Sequence, residues 1–335
     1  MSEQSALQVT YSPSERSSVA ALVASALLSL LSVLSIALFQ SYKKLSGESL
    51  FPRTHVTPYY SSLLIANLIQ SVGSTISLRW IITGDVTYGP LCYMQGGWKN
   101  AGNVATALWN LVIAGHIFNL LFLRFRSTRK EMIAVLCGVW SLVGVVVFVG
   151  PVAIQKEDLG PYFGVSGYWC WITDLYPKAQ RYLEYLFMFL SAGLSFLIYI
   201  LVFFRMRGNI IGKGRKMRII HISRSLSWEL RLCRDDVDSA MLKTVSHMIW
   251  YPVAYTLLVL PIALARLSAF GGHRVPFGWT VAADFVFNLN GFVNAVLLLT
   301  TRRIFPSVET MPVLETPRKS GEFVKGMHVT PFVMP

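Results

Sequence analysis

Seven separate runs of apolar residues, each long enough to cross a bilayer, are the feature that leaves this chain the fewest folds. They lie at about Val19–Phe39, Tyr59–Thr83, Gly96–Leu123, Met132–Ile154, Gln180–Phe204, Met241–Leu267 and Phe277–Thr301. Each supplies the ~20 residues that a hydrocarbon layer of ~30 Å requires at ~1.5 Å per residue. Backbone groups in lipid find no water to bond, so such runs must be helices. Composition agrees, since 53% of the 335 residues are apolar and only 14% are charged. The mean hydropathy is +0.50. That is too little charge to clothe a soluble domain. The expected fold is therefore an all-α integral membrane protein, a seven-transmembrane helix bundle over residues 19–303. An N-terminal segment, 1–18, precedes it, and a tail, 304–335, follows. No repeat of three or more helices is visible. The first run is too long for a signal-peptide core and lacks a basic flank, so it is read as a helix that also directs insertion.

Charge sets the expected orientation. The gap after the first run carries Lys43, Lys44 and Arg53, and the gap after the third carries Arg124, Arg126, Arg129 and Lys130. The 205–240 loop after the fifth is a basic, Ser-rich stretch that includes Arg205, and the tail opens with Arg302 and Arg303. The alternate gaps are nearly neutral: 84–95 has Asp85 and no Lys or Arg. Basic loops stay on the cytoplasmic side, which places the N-terminus outside and the C-terminus in the cytoplasm, and points to a plasma-membrane protein. The same topology explains the net charge of +13 without nucleic acid. It also puts Cys92 and Cys170 together on the oxidising side, where they form either a lasting disulfide or two free thiols. The 205–240 loop and the tail are expected to be flexible.

Ionisable and amide side chains inside membrane helices usually face the bundle interior. Lys99, Asn103, Thr106 and Asn110 follow i, i+4, i+7, i+11 and share a face of the third helix. Asp284, Asn288 and Gly291 do the same on the seventh, Asn67, Gln70, Ser74 and Arg79 lie on the second, and Tyr251 and Tyr255 lie on the sixth. Lys99 and Asp284 fall within ~10 Å of the outer surface by helical rise. The pattern predicts a polar cavity open to the outside, with Arg79, Lys99, Asn103, Thr106, Tyr251, Tyr255, Asp284 and Asn288 as candidate ligand contacts. The plainer alternative pairs Lys99 with Asp284 and Arg181 with Glu184. Ala21, Ser25 and Ser29 read as a close-packing face. Pro252 and Pro261 each remove a backbone bond from the sixth helix, either as a static kink or as part of a moving element. Ser223, Ser225 and Ser227 beside Arg224 are candidate phosphorylation sites. No HExxH, GxSxG, phosphate loop or metal-ligand spacing occurs, so no enzyme, cofactor or metal is expected.

Four ordered stretches resemble one family. Cys92-Tyr-Met-Gln95-Gly96 with Gly102-Asn-Val-Ala-Thr-Ala-Leu-Trp109 and Ile113-Ala114-Gly-His116 resembles the third helix of cAMP-receptor-like G-protein-coupled receptors of slime moulds and fungi. Tyr168-Trp-Cys170-Trp171-Ile172 resembles their second outside loop. Trp250-Tyr251-Pro252 with Pro261 and Arg266 resembles their sixth helix, and Asn290-Gly291-Phe292-Val-Asn294-Ala295 their seventh. The resemblance implies a receptor that senses an extracellular ligand and activates a heterotrimeric G protein. It implies a Cys92–Cys170 disulfide, a switch region at Pro252, Pro261 and Asn294, and a G-protein-facing surface at Arg124, Arg126, Arg129, Lys130, Arg205 and Lys243. The third helix ends Leu-Arg124-Phe-Arg126 instead of Asp-Arg-Tyr, and the seventh lacks Asn-Pro-x-x-Tyr, so the activation contacts of that larger class do not carry over. Arg79 with Lys99 would suit an anionic ligand. A homodimer and the lipid bilayer are the other expected partners. The alternatives are a seven-helix transporter for a small polar solute, a retinal protein, and a scaffold or channel. The retinal reading is excluded by the absence of lysine from the seventh run.

Overall fold

In the computed structural model, which describes residues 8–46, 57–119, 128–206, 210–213, 216–219 and 250–301, the apolar runs become helices. Seven are long and apolar enough to cross a membrane: Pro13–Lys43, Thr57–Thr83, Pro90–Phe118, Arg129–Ile154, Pro177–Val202, Val253–Phe270 and Phe277–Thr300. They are called the first to seventh spans below. Three antiparallel strand pairs join them: β1 (Gln8–Thr10) with β2 (Asp85–Thr87), β3 (Phe163–Ser166) with β4 (Trp169–Ile172), and β5 (Ile210–Lys213) with β6 (Lys216–Ile219). The last pair lies within the 205–240 loop, where each strand satisfies the other's ladder.

Helix ends shift where local chemistry overrides hydropathy. The third span starts at Pro90, six residues before the expected Gly96, since proline fits the first turn where its missing N–H costs nothing. Cys92 therefore stands inside that helix instead of ahead of it. Pro177 advances the fifth span in the same way. The fourth opens at Arg129 behind a capping box, in which Glu131 N–H donates to the Thr128 hydroxyl at 3.3 Å and Thr128 N–H donates to the Glu131 carboxylate at 3.0 Å. The sixth is described as helix from Trp250, so Met241–Ile249 of the expected run lies outside the described residues.

The third span lies at the centre and packs on the second, fourth, fifth and sixth. A Cβ on Gly102 would stand 2.5 Å from the Gln70 backbone, so the second and third spans touch at glycine distance. The fourth span is peripheral, with Val145, Phe148 and Val152 between 62% and 81% exposed. Exposure of that kind is a liability in water and costs nothing against lipid tails. Two of the three apolar clusters among the described residues fill most of the bundle. One, at the end bearing β3 and β4, includes Phe163, Met188, Tyr255, Ile262 and Phe287. The other, toward the opposite end, gathers Tyr59, Tyr60, Trp109, Ile113, Tyr199 and Tyr251.

The seventh span is interrupted at Leu289, between Phe277–Asn288 and Asn290–Thr301. Ser29 of the first span bridges the break: its hydroxyl donates to the Asn288 carbonyl and accepts the Phe292 N–H at 3.2 Å. An unbroken helix would join that carbonyl and that amide directly, four residues apart. A Cβ on Gly291 would approach Ser29 Cβ to 3.0 Å, so glycine admits the serine. The close-packing face of the first span therefore contains Ser25 and Ser29, which are buried, whereas Ala21 is exposed.

Candidate functional site

The site is built beneath the β3–β4 hairpin. Cys92 and Cys170 are disulfide-bonded with their Cα atoms 5.2 Å apart, which ties β4 to the first turn of the third span. Beside the bond, fully buried Gln95 uses all of its hydrogen-bonding capacity. Its Oε1 accepts Trp80 Nε1–H at 2.7 Å and Cys170 N–H at 3.1 Å, and its Nε2 donates to Ser77 Oγ at 2.7 Å and to the Gly73 carbonyl at 3.2 Å. One amide thus locks the second span, the third span and the hairpin together. Strand alternation then sends Trp169 and Trp171 to the face opposite Cys170, into a cavity of about 340 Å³ including its mouth.

That cavity lies between the third, fifth, sixth and seventh spans. Its floor is Glu184, which is 2% exposed. The widened turn Arg181–Tyr185 brings Glu184 and Tyr185, neighbours in sequence, both inward. The Glu184 carboxylate accepts from Asn100 Nδ2 at 2.9 Å, from Asn103 Nδ2 at 2.6 Å and from the Trp171 indole N–H. Asn103 also accepts from Gln70 Nε2 at 3.0 Å, which extends the network to the second span. The walls carry the remaining charges. Lys99 Nζ sits 4.6 Å above the Trp169 ring, and the Arg266 guanidinium sits 5.3 Å from the Tyr185 ring and 5.6 Å from the Trp171 ring. Asp284 Oδ2 and Arg266 Nε are buried without a hydrogen-bond partner.

Four of the expected ligand contacts line this cavity: Lys99, Asn103, Asp284 and Asn288, the last accepting from Ser74 Oγ at 3.1 Å. The other four do not. Arg79 is exposed on the second span. Thr106 is fully buried deeper on the third, where its carbonyl accepts from Asn110 Nδ2 at 2.8 Å. Tyr255 is buried in the apolar cluster two turns from Ile262. Tyr251 stacks near Tyr60, with ring centroids 4.6 Å apart, and lies ~22 Å along the helix from Arg266. Neither simple pairing forms. Lys99 rests on Trp169 instead of meeting Asp284, and exposed Arg181 lies 4.7 Å over the Phe270 ring while Glu184 turns inward. Arg266 and Tyr185 enter the site unanticipated by the cavity reading. A guanidinium inside an apolar run was a visible signal for the first, whereas the widened turn that brings in Tyr185 leaves no trace in periodicity.

Of the expected switch residues, Asn294 is buried and donates to Asn290 Oδ1 at 3.2 Å, and Pro261 lies inside the sixth helix. Pro252 and Arg205 lie on helical backbone, with their side chains outside the described residues. Arg129 and Lys130 are exposed at the start of the fourth span. Arg124, Arg126, Lys243, Ser223, Ser225 and Ser227 lie outside the described residues. Among the described residues, no group of three or more His, Cys, Asp or Glu could hold a metal ion.

The segment before the first span is strapped to the same end of the bundle. β1 pairs with β2, Gln8 Nε2 donates to Asp85 at 2.7 Å, the Tyr11 hydroxyl donates to the Tyr168 carbonyl, and the Tyr168 hydroxyl donates to Glu15 at 2.7 Å. Burial pushes the Tyr11 phenol well above its ordinary range, and the bond to Glu15 raises that of Tyr168. Both stay protonated donors at neutral pH. No protein-family model matches the chain. No curated protein matches it either.

Proposed function

We propose that this chain is a plasma-membrane receptor, N-terminus outside, that senses a small extracellular ligand in the cavity under the β3–β4 hairpin and activates a heterotrimeric G protein at the opposite end. The observation that carries this reading is a charge-lined cavity shared by the third, fifth, sixth and seventh spans, roofed by a disulfide-pinned hairpin. A cavity so placed couples ligand to helix position, because a ligand shifts a conformational equilibrium only by binding one arrangement better than another. The sixth span contributes Arg266 to the wall and contains Pro261 about one turn away, so a ligand that draws on Arg266 acts on a helix already short of a backbone bond. The resemblance of the third, sixth and seventh helices to cAMP-receptor-like receptors supports the same assignment, as do the basic connections, which suit an acidic partner surface at the cytoplasmic end. The test is nucleotide exchange on purified heterotrimeric G proteins with the protein reconstituted in nanodiscs. Faster exchange is expected with a stimulating ligand or a constitutive variant. No acceleration with any G protein and any variant would remove the receptor reading and leave the bundle intact.

One observation favours a second reading, a transporter for a small polar solute. The second span tightens at Ile76 and the seventh breaks at Leu289, and interrupted helices often line solute paths. Two three-helix halves around the fourth span would place such breaks in equivalent helices, and the second and seventh are not equivalent. Solute uptake into proteoliposomes would nevertheless favour the transporter.

A further inference from the structure

Resting on the ligand cavity just assigned, we propose that its ligand is a small zwitterion carrying an ammonium and a carboxylate, the chemistry of a free amino acid. The cavity holds Lys99 and Arg266 against Glu184 and Asp284, so its formal charge is balanced before any ligand enters. An anion or a cation would leave a net charge in a poorly hydrated space, which is costly, whereas a zwitterion keeps the balance. The anionic ligand suggested by Arg79 with Lys99 loses its basis, since Arg79 is exposed and two carboxylates face the space.

The four charges are not equally committed. Glu184 already accepts three hydrogen bonds and is part of the frame. Asp284 lines the cavity, and its buried Oδ2 has no hydrogen-bond partner, which leaves it to accept from an ammonium. Arg266 Nε–H has no partner either, and among the described residues Lys99 Nζ lies over the Trp169 ring without a hydrogen-bonded carboxylate, so two donors remain for a carboxylate. The Trp169 and Trp171 rings are already attended by those two cations, which leaves little aromatic face for a sugar to stack upon. A neutral polyol could bond the same atoms but would leave full charges facing dipoles, the weaker match at low dielectric.

The test is thermal unfolding of the purified full chain in nanodiscs, without G protein, against four matched sets of probes: free amino acids, their methyl esters (cations), their N-acetyl derivatives (anions), and polyols of similar size. Free amino acids are expected to raise the melting temperature, and the ester and N-acetyl forms of the best one to bind at least roughly thirtyfold more weakly. Asp284→Asn should narrow the gap between the amino acid and its N-acetyl form, and Arg266→Gln the gap between the amino acid and its ester. These crossed effects separate lost recognition from lost folding. Preference for an anion, a cation or a polyol, or no stabilisation by any set, overturns the proposal. G-protein exchange measured alongside keeps the two readings apart. Exchange driven by a non-zwitterion sinks the ligand class alone, and amino-acid binding without exchange supports the ligand class while counting against the receptor.

Discussion

The two sides of the cavity treat their carboxylates in opposite ways. Where the third and fifth spans meet, Glu184 is saturated by Asn100, Asn103 and Trp171, and Asn103 passes the network on to Gln70. Where the sixth and seventh spans meet, Asp284 and Arg266 keep buried atoms without partners. A satisfied buried network stiffens the elements that share it, while an unsatisfied charge costs free energy until something arrives to meet it. The first side is a frame and the second keeps buried polar atoms that lack partners. The same division extends along the seventh span, whose break is held by a hydroxyl from the first span instead of by its own ladder.

If that contrast is right, substitutions on the two sides should differ in kind. The largest loss of stability is expected for Glu184→Ala, which strands three buried donors. At about 0.6–1.7 kcal/mol per hydrogen bond in bilayers, the sum is about 2–5 kcal/mol, read as a fall in melting temperature in nanodiscs. Ser29→Ala should cost less, about 1 kcal/mol, because the unbridged Asn288 carbonyl and Phe292 amide can partly re-pair with each other. Hydrogen exchange at Phe292 should rise in that variant, and unchanged protection there would mean that the serine is incidental. Asp284→Asn should move stability least, by about 1 kcal/mol or less, since it keeps the side chain's shape and strands no hydrogen-bond donor, although Lys99 and Arg266 lose one counter-charge. A large destabilisation by Asp284→Asn, or none by Glu184→Ala, would erase the distinction between frame and wall.

The legibility of the site followed the same line. Lys99, Asn103, Asp284 and Asn288 could be found because helical periodicity puts them on inward faces near one end. Tyr251 and Thr106 satisfied the same periodicity, yet they lie too far along their helices, a coordinate that residue type does not encode. Arg79 failed for another reason: at the end of a span a long cation can turn to solvent, so position in a run does not fix its side. Span ends were misplaced at Pro90 and Pro177 because hydropathy ignores the proline that starts a helix.

Apolar run length and the demand that every backbone group be bonded were enough, without coordinates, to require a bundle of seven helices. Sequence also brought Cys92 and Cys170 to the same side of that bundle, where the structure joins them. Which carboxylate is satisfied, which is left waiting, and how a serine enters its neighbour's ladder were settled only by three-dimensional packing. Those outcomes depend on contacts between residues 13 to 263 positions apart, and local pattern carries no record of them.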